Sequence, residues 1–198
     1  MNDVITKHGY FFDLDGTLVN THESNTRAYL QAIYEVLPGS EVSRELLRSH
    51  IAAGENYRTF LPHVLPRITD SQMTEVSAHK AACYPDYIPL ATVNEHLITQ
   101  AWHWKASPEA VMVLVTTAKE ANAERVLAHF GLDELFDFKV FGDGVKRLKP
   151  APDIYLKALQ IANLDANQVE AFEDSQAGLD AAQAAGIAVT HVVWAASQ

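Results

Sequence analysis

Two aspartates set two residues apart, Asp13 and Asp15, close the apolar run Tyr10-Phe11-Phe12 and precede Gly16 and Thr17. In a β-strand, residues i and i+2 project from the same face, so both carboxylates would leave the strand together. Like charges that close are costly unless a cation lies between them or one takes up a proton. The pattern fits a pair that handles a metal ion and protons; it also fits a plain strand closed by an Asp-Gly turn. Three more sets of polar groups call for a reason. Thr116 and Thr117 follow Val111-Met112-Val113-Leu114-Val115. A threonine there can cap the next helix, or bring its hydroxyl to an anion held by the first free N–H groups. Lys149 precedes Pro150 and Pro152. Proline keeps the residue before it extended, which suits a cation that must point one way, although a solvated loop lysine reads the same. Glu173 and Asp174 follow Val169-Glu170-Ala171-Phe172, and either Asp174 or Ser175 can cap what comes next.

These groups need elements to hold them. Short apolar strands are expected at 8–14, 111–116, 138–141, 169–172 and 187–193, separated by helices at 94–104, 119–130, 153–162 and 176–185. Gly131 stands where the second of these helices should end. Such alternation means βαβ units and a parallel sheet, whose ligands collect at the carboxyl ends of the strands. Residues 20–90 differ. Helical spacing recurs over 23–36, 41–52, 57–65 and 70–88 with no strand candidate, so this block reads as an inserted helical bundle. Trp102-His103-Trp104 reads as a surface or partner-facing helix end, and neither the nine histidines nor the three tryptophans show ligand spacing.

Apolar residues make up 48% of the 198, enough for a packed core and too many for disorder. The net charge is −10 and no run of Lys or Arg makes a basic face, which argues against a nucleic-acid partner. An acidic chain that handles phosphate must gather positive charge locally, through a divalent cation and one or two lysines. No run reaches the roughly 18 to 20 apolar residues of a membrane span. Residues 1–7 lack a signal-peptide core. The one cysteine, Cys83, excludes an internal disulfide and reads as a small core residue. A cytoplasmic location is expected.

Phe12-Asp13-Leu14-Asp15-Gly16-Thr17-Leu18, Thr116 after its strand, Lys149-Pro150-Ala151-Pro152-Asp153 and Glu173-Asp174-Ser175-Gln176-Ala177-Gly178 occur in this order. Together they resemble the four motifs of the haloacid dehalogenase-like (HAD) hydrolase superfamily, in its helical-cap subclass. The last motif especially resembles that of β-phosphoglucomutase and sugar-phosphate phosphatase relatives. The resemblance implies an α/β fold: a Rossmann-like parallel sheet with helices on both faces at 1–19 and 91–198, and a helical cap at 20–90. It implies a magnesium-dependent (Mg2+) phosphatase acting on a small phosphorylated metabolite through an aspartyl phosphate. Asp13 would be the nucleophile and Asp15 the acid and base. Thr116, Thr117 and Lys149 would bind the phosphoryl group, with backbone N–H groups of Thr117 and Ala118. Asp13, the Asp15 carbonyl and Asp174 would hold magnesium, and Glu173 would support them, directly or through water.

Gly54 and Lys80, the latter with Tyr84 one turn on, are the cap candidates for substrate contact. A phosphomutase is the alternative. The acid at position 15 argues against dehalogenation or phosphonate cleavage, and the intact motifs argue against a non-catalytic regulator. Two features depart from the family pattern. Pro89-Leu90-Ala91-Thr92 lacks a glycine common after the cap, and the chain reaches Gln198 soon after its last strand, so a shortened or missing C-terminal helix is expected. The protein is expected to act as a monomer or homodimer.

Overall fold

In the computed structural model, residues 7–194 are described. The signal-peptide reading of residues 1–6 and the expected loss of a C-terminal helix after 194 lie outside them. The chain divides into two compact units, one formed up to Val19 and from Val93 onward, the other by Asn20–Thr92.

The first unit is built on five strands: β1 (His8–Phe12), β4 (Ala110–Val115), β5 (Phe138–Val140), β6 (Val169–Glu173) and β7 (Ala188–His191). All pair in parallel, in the order β5-β4-β1-β6-β7. The helices are α5 (Glu95–Lys105), α6 (Glu120–Phe130), α7 (Asp153–Ala162) and α8 (Gln176–Ala184). Gly131 ends α6, as expected. A central parallel strand is buried on both faces, which explains why β4 carries no polar residue. On one face, Phe11, Val113, Val115 and Ala171 pack against Ile154, Tyr155 and Ala158 of α7 and Ala181 and Ala182 of α8. On the other, Phe12 stacks on Phe172 at 4.8 Å, and Trp104 of α5 stacks on Tyr10 at 4.5 Å. The fold is thus α/β and Rossmann-like, with helices on both faces.

Trp104 corrects an expectation. Leu97, Ala101 and Trp104 recur at i, i+4 and i+7, the inward stripe of a helix, so Trp104 covers the sheet while Trp102 stays exposed.

The second unit holds α1 (His22–Val36), α2 (Arg44–Ala52), α3 (Tyr57–Val64) and α4 (Asp70–Tyr87). Its core gathers Ile33, Leu47, Phe60, Leu61 and Val76, and Cys83 is buried as expected. The second helix starts three residues later than expected because Ser43 caps it, accepting from the Leu46 N–H at 3.2 Å. Thr69 and Gln72 form a reciprocal capping box on α4. Two-residue strands, β2 (Val19–Asn20) and β3 (Thr92–Val93), pair where the chain passes between the units. They were not expected, since two residues carry no alternation to read. Among the described residues, no helix is long and apolar enough to cross a membrane.

Candidate active site

The register sets Phe12 of β1 opposite Leu114 of β4 and Phe172 of β6. The residues just beyond these three therefore emerge side by side, at the point where the strand order reverses direction. Asp13 is tied to β6 by its N–H on the Phe172 carbonyl at 3.1 Å. The chain then turns tightly, with the Leu14 carbonyl accepting from the N–H groups of Leu18 and Val19 at 3.1 and 3.0 Å. Gly16 lies in this turn at φ +92°, and a Cβ there would fall 2.0 Å from the Asp174 carboxylate. Only glycine satisfies both conditions. The Thr17 hydroxyl is fully buried and donates to Asp174 Oδ1 at 3.1 Å. Ser175 takes the capping role on α8, accepting from the Gly178 N–H at 3.1 Å, so Asp174 is not the cap. Asp174 turns instead to the end of β1.

Lys149 reaches the same place from the loop before α7, across a cis Lys149–Pro150 peptide. Its ammonium donates to Asp13 Oδ1 at 2.6 Å and to the Val115 carbonyl at 2.8 Å, and it pairs with Glu173 Oε1 at 2.6 Å. The Tyr155 hydroxyl donates to that same Glu173 oxygen. Thr116 is buried, and its hydroxyl oxygen accepts from the Ala118 N–H at 3.1 Å. This corrects two readings. Thr116 does not cap α6, whose cap position is Lys119, and the Ala118 N–H expected to face an anion is bonded within the turn.

Three carboxylates, on Asp13, Glu173 and Asp174, bring ligand atoms within 4.8 Å of one another, and Lys149 is the cation paired with the first two. Burial pushes the Asp13 carboxyl up against the pull of Lys149, and the neighbouring Asp15 charge adds to the rise. Burial likewise pushes Glu173 up to about 8, and burial with the Asp13 charge pushes Asp174 up to about 7. Burial alone would lower the Lys149 ammonium; the Asp13 and Glu173 carboxylates override it and hold it above the ordinary lysine value. Glu173 Oε2 is buried with no hydrogen-bond partner among the described residues. Crowded anionic oxygens with one oxygen left unsatisfied form a donor set for a hard divalent cation.

Residues 10–192 match the haloacid dehalogenase-like hydrolase family. The chain is 32% identical to fructose-1-phosphate phosphatase YqaB of Escherichia coli, over 90% of this chain and 93% of that one. It is 29% identical to a phosphorylated carbohydrates phosphatase of Thermotoga maritima, over 89% and 80% of the two chains. The crystal structure of CbbY from Rhodobacter sphaeroides in complex with phosphate superposes with a TM-score of 0.81, covering 98% of this chain and 90% of that one at 22% identity. The chain belongs to the haloacid dehalogenase-like hydrolases.

In this hydrolase, Asp13, Thr116, Lys149, Glu173 and Asp174 meet at the ends of β1, β4 and β6; Asp15 follows in the turn and Thr117 directly after Thr116. The other two candidates lie in the helical unit. Gly54 is in the exposed turn after α2, and the Lys80 ammonium sits over the rings of Tyr84 and Tyr29 at 3.8 and 5.4 Å. Sequence reasoning missed Thr17, Tyr155 and Trp194, whose indole N–H donates to the Gly16 carbonyl. Thr17 stands inside the first quoted motif and Tyr155 two residues after the third, but their partners lie 157 and 18 residues away.

Ligand atoms of His50, Glu55 and His63 also converge within 4.8 Å in the helical unit, where no ligand spacing was expected. His50 Nδ1 pairs with Glu55 at 3.0 Å, and the two imidazoles stack at 5.4 Å and 27°. The group combines a His–Glu side-chain contact with a ring stack.

Proposed function

We propose that this hydrolase is a magnesium-dependent phosphatase of small phosphorylated carbohydrates and related metabolites, working through an aspartyl phosphate on Asp13. The observation that carries the proposal is the convergence of Asp13, Asp174, Glu173, Thr116 and Lys149 on one strand-end site. The similarity to enzymes named for phosphorylated sugars supports the substrate class.

Asp13, the Asp15 carbonyl and Asp174 would hold magnesium, with Glu173 beside them. When bound, the ion offsets the repulsion between a carboxylate and a phosphate dianion. Asp13 attacks phosphorus, and the bond to the ester oxygen breaks. Asp15 gives the departing alkoxide its proton, then takes one from the water that cleaves the acyl phosphate and restores Asp13. The Thr116 oxygen already accepts from Ala118, so its own proton points elsewhere, towards a phosphoryl oxygen. Lys149 neutralises the same group, as positioning and electrostatics dominate this chemistry. The helical unit acts as a cap that supplies substrate contacts, with Gly54 and Lys80 as candidates.

The test is release of inorganic phosphate from a panel of sugar phosphates and an aryl phosphate, with and without magnesium. Hydrolysis is expected only with the metal, and Asp13→Asn should abolish it. Equal turnover in that variant would remove Asp13 as nucleophile. Stimulation by a sugar bisphosphate without net phosphate release would move the assignment to a mutase.

A further inference from the structure

A lysine ammonium has three protons to donate. Two of those of Lys149 go to Asp13 Oδ1 and the Val115 carbonyl at 2.6 and 2.8 Å, and the ammonium is held against Glu173 Oε1 by a charge pair at 2.6 Å, which occupies the third direction. To bind a phosphoryl oxygen, Lys149 must release one of them. The Asp13 contact is the one that phosphoryl transfer uses, because a phosphoryl group arriving at Asp13 comes up beside the same ammonium. Glu173 is the partner that can be released, because its Oε1 has a second donor in place, the Tyr155 hydroxyl. That oxygen is fully enclosed: Glu173 and Tyr155 are both 0% exposed. The other Glu173 oxygen has no partner among the described residues, and a Cβ on Gly178 would come within 1.9 Å of it. Without Tyr155, Lys149 would be the remaining donor to a buried carboxylate and would be held to it, since an unsatisfied buried charge is expensive.

We propose that Tyr155 is a positioning residue that anchors Glu173, so that one Lys149 proton can be transferred to the phosphoryl group of the substrate. The inference deepens the phosphatase reading and rests on it. No covalent step involves Tyr155; it exchanges one hydrogen-bond arrangement for another.

The decisive variant is Tyr155→Phe, which keeps the ring within the α7 packing and removes only the hydroxyl. Calorimetry with inorganic phosphate in saturating magnesium should show affinity reduced about tenfold or more, in the range of a lost charged hydrogen bond. The affinity for magnesium alone, measured in the same way, should change much less. A merely structural role would weaken both together or lower only the melting temperature. A second arm covers poor folding of the single variant. In a Glu173→Gln background Lys149 is no longer held by a charge, so adding Tyr155→Phe should leave phosphate affinity unchanged. Unchanged phosphate affinity in Tyr155→Phe, with an active wild type, overturns this inference alone. So does an equal loss with and without Glu173→Gln. A wild-type protein that neither hydrolyses phosphate esters nor binds phosphate overturns the phosphatase reading beneath it.

Discussion

Asp15 forms no bond to phosphorus in the proposed sequence, so its side chain and its carbonyl can be separated by experiment. Asp15→Asn keeps the backbone ligand and removes the proton carrier. Turnover should fall by about 10²- to 10⁴-fold while magnesium affinity stays close to wild type, read by steady-state kinetics and calorimetry. Thr17→Val is the converse. It keeps volume at a fully buried position but removes the donor to Asp174 Oδ1. Magnesium should bind about 10- to 100-fold more weakly, as for other lost supports of a metal ligand. Asp13, Thr116 and Asp174 stood out in the sequence as candidates because polar residues at the ends of apolar strands are out of place unless a site needs them, and Lys149 because two prolines fix the loop that carries it. Thr17 and Tyr155 did not, because a hydroxyl inside or just beyond a motif does not say which distant carboxylate it meets. The commitment of the Ala118 N–H to Thr116 is a local turn that a strand-then-helix reading passes over.

At the scale of elements, α8 holds both acids of the last motif in place from its first turn. Ser175→Ala removes its cap and should cost about 0.5–2 kcal/mol of stability, seen as a lower melting temperature with Asp13 intact. Gly178→Ala should be worse for function. Its methyl would sit 1.9 Å from Glu173 Oε2 and force the strand end and helix apart, so turnover should drop more than in Ser175→Ala. Turnover equal to that of Ser175→Ala would show that α8 yields without disturbing Glu173. Most elements were legible. The strands are apolar runs too short to be helices, and the helices carry apolar residues at 3.6-residue spacing. What stayed hidden followed from length and packing: β2 and β3 have two residues each, and the inward turn of Trp104 depends on a sheet face that only the assembled β1 and β6 create.

At the scale of the molecule, the crowded carboxylates should tie stability to pH and, on the proposed metal binding, to magnesium. Asp174 and Glu173 ionise at about 7 and about 8 in the folded chain, against ordinary values of 3.8 and 4.5. Between roughly pH 4 and 8 the metal-free folded state therefore holds protons that the unfolded chain has lost. Stability should fall as pH rises through that window and level off above it. Magnesium needs deprotonated ligands and displaces those protons, so it should raise the melting temperature more near pH 8 than near pH 5. Thermal melts with and without magnesium check this, and an equal shift at both ends would show that these carboxylates do not bind the ion.

The position of β1 has one more consequence. This strand is made before the other strands of its sheet, yet it lies in the middle, between partners that begin at residues 110 and 169. Such distant pairings form slowly. Translation must pass residue 174 before Asp13 can meet the Asp174 carboxylate, so prematurely terminated polypeptides should be catalytically silent rather than partly active.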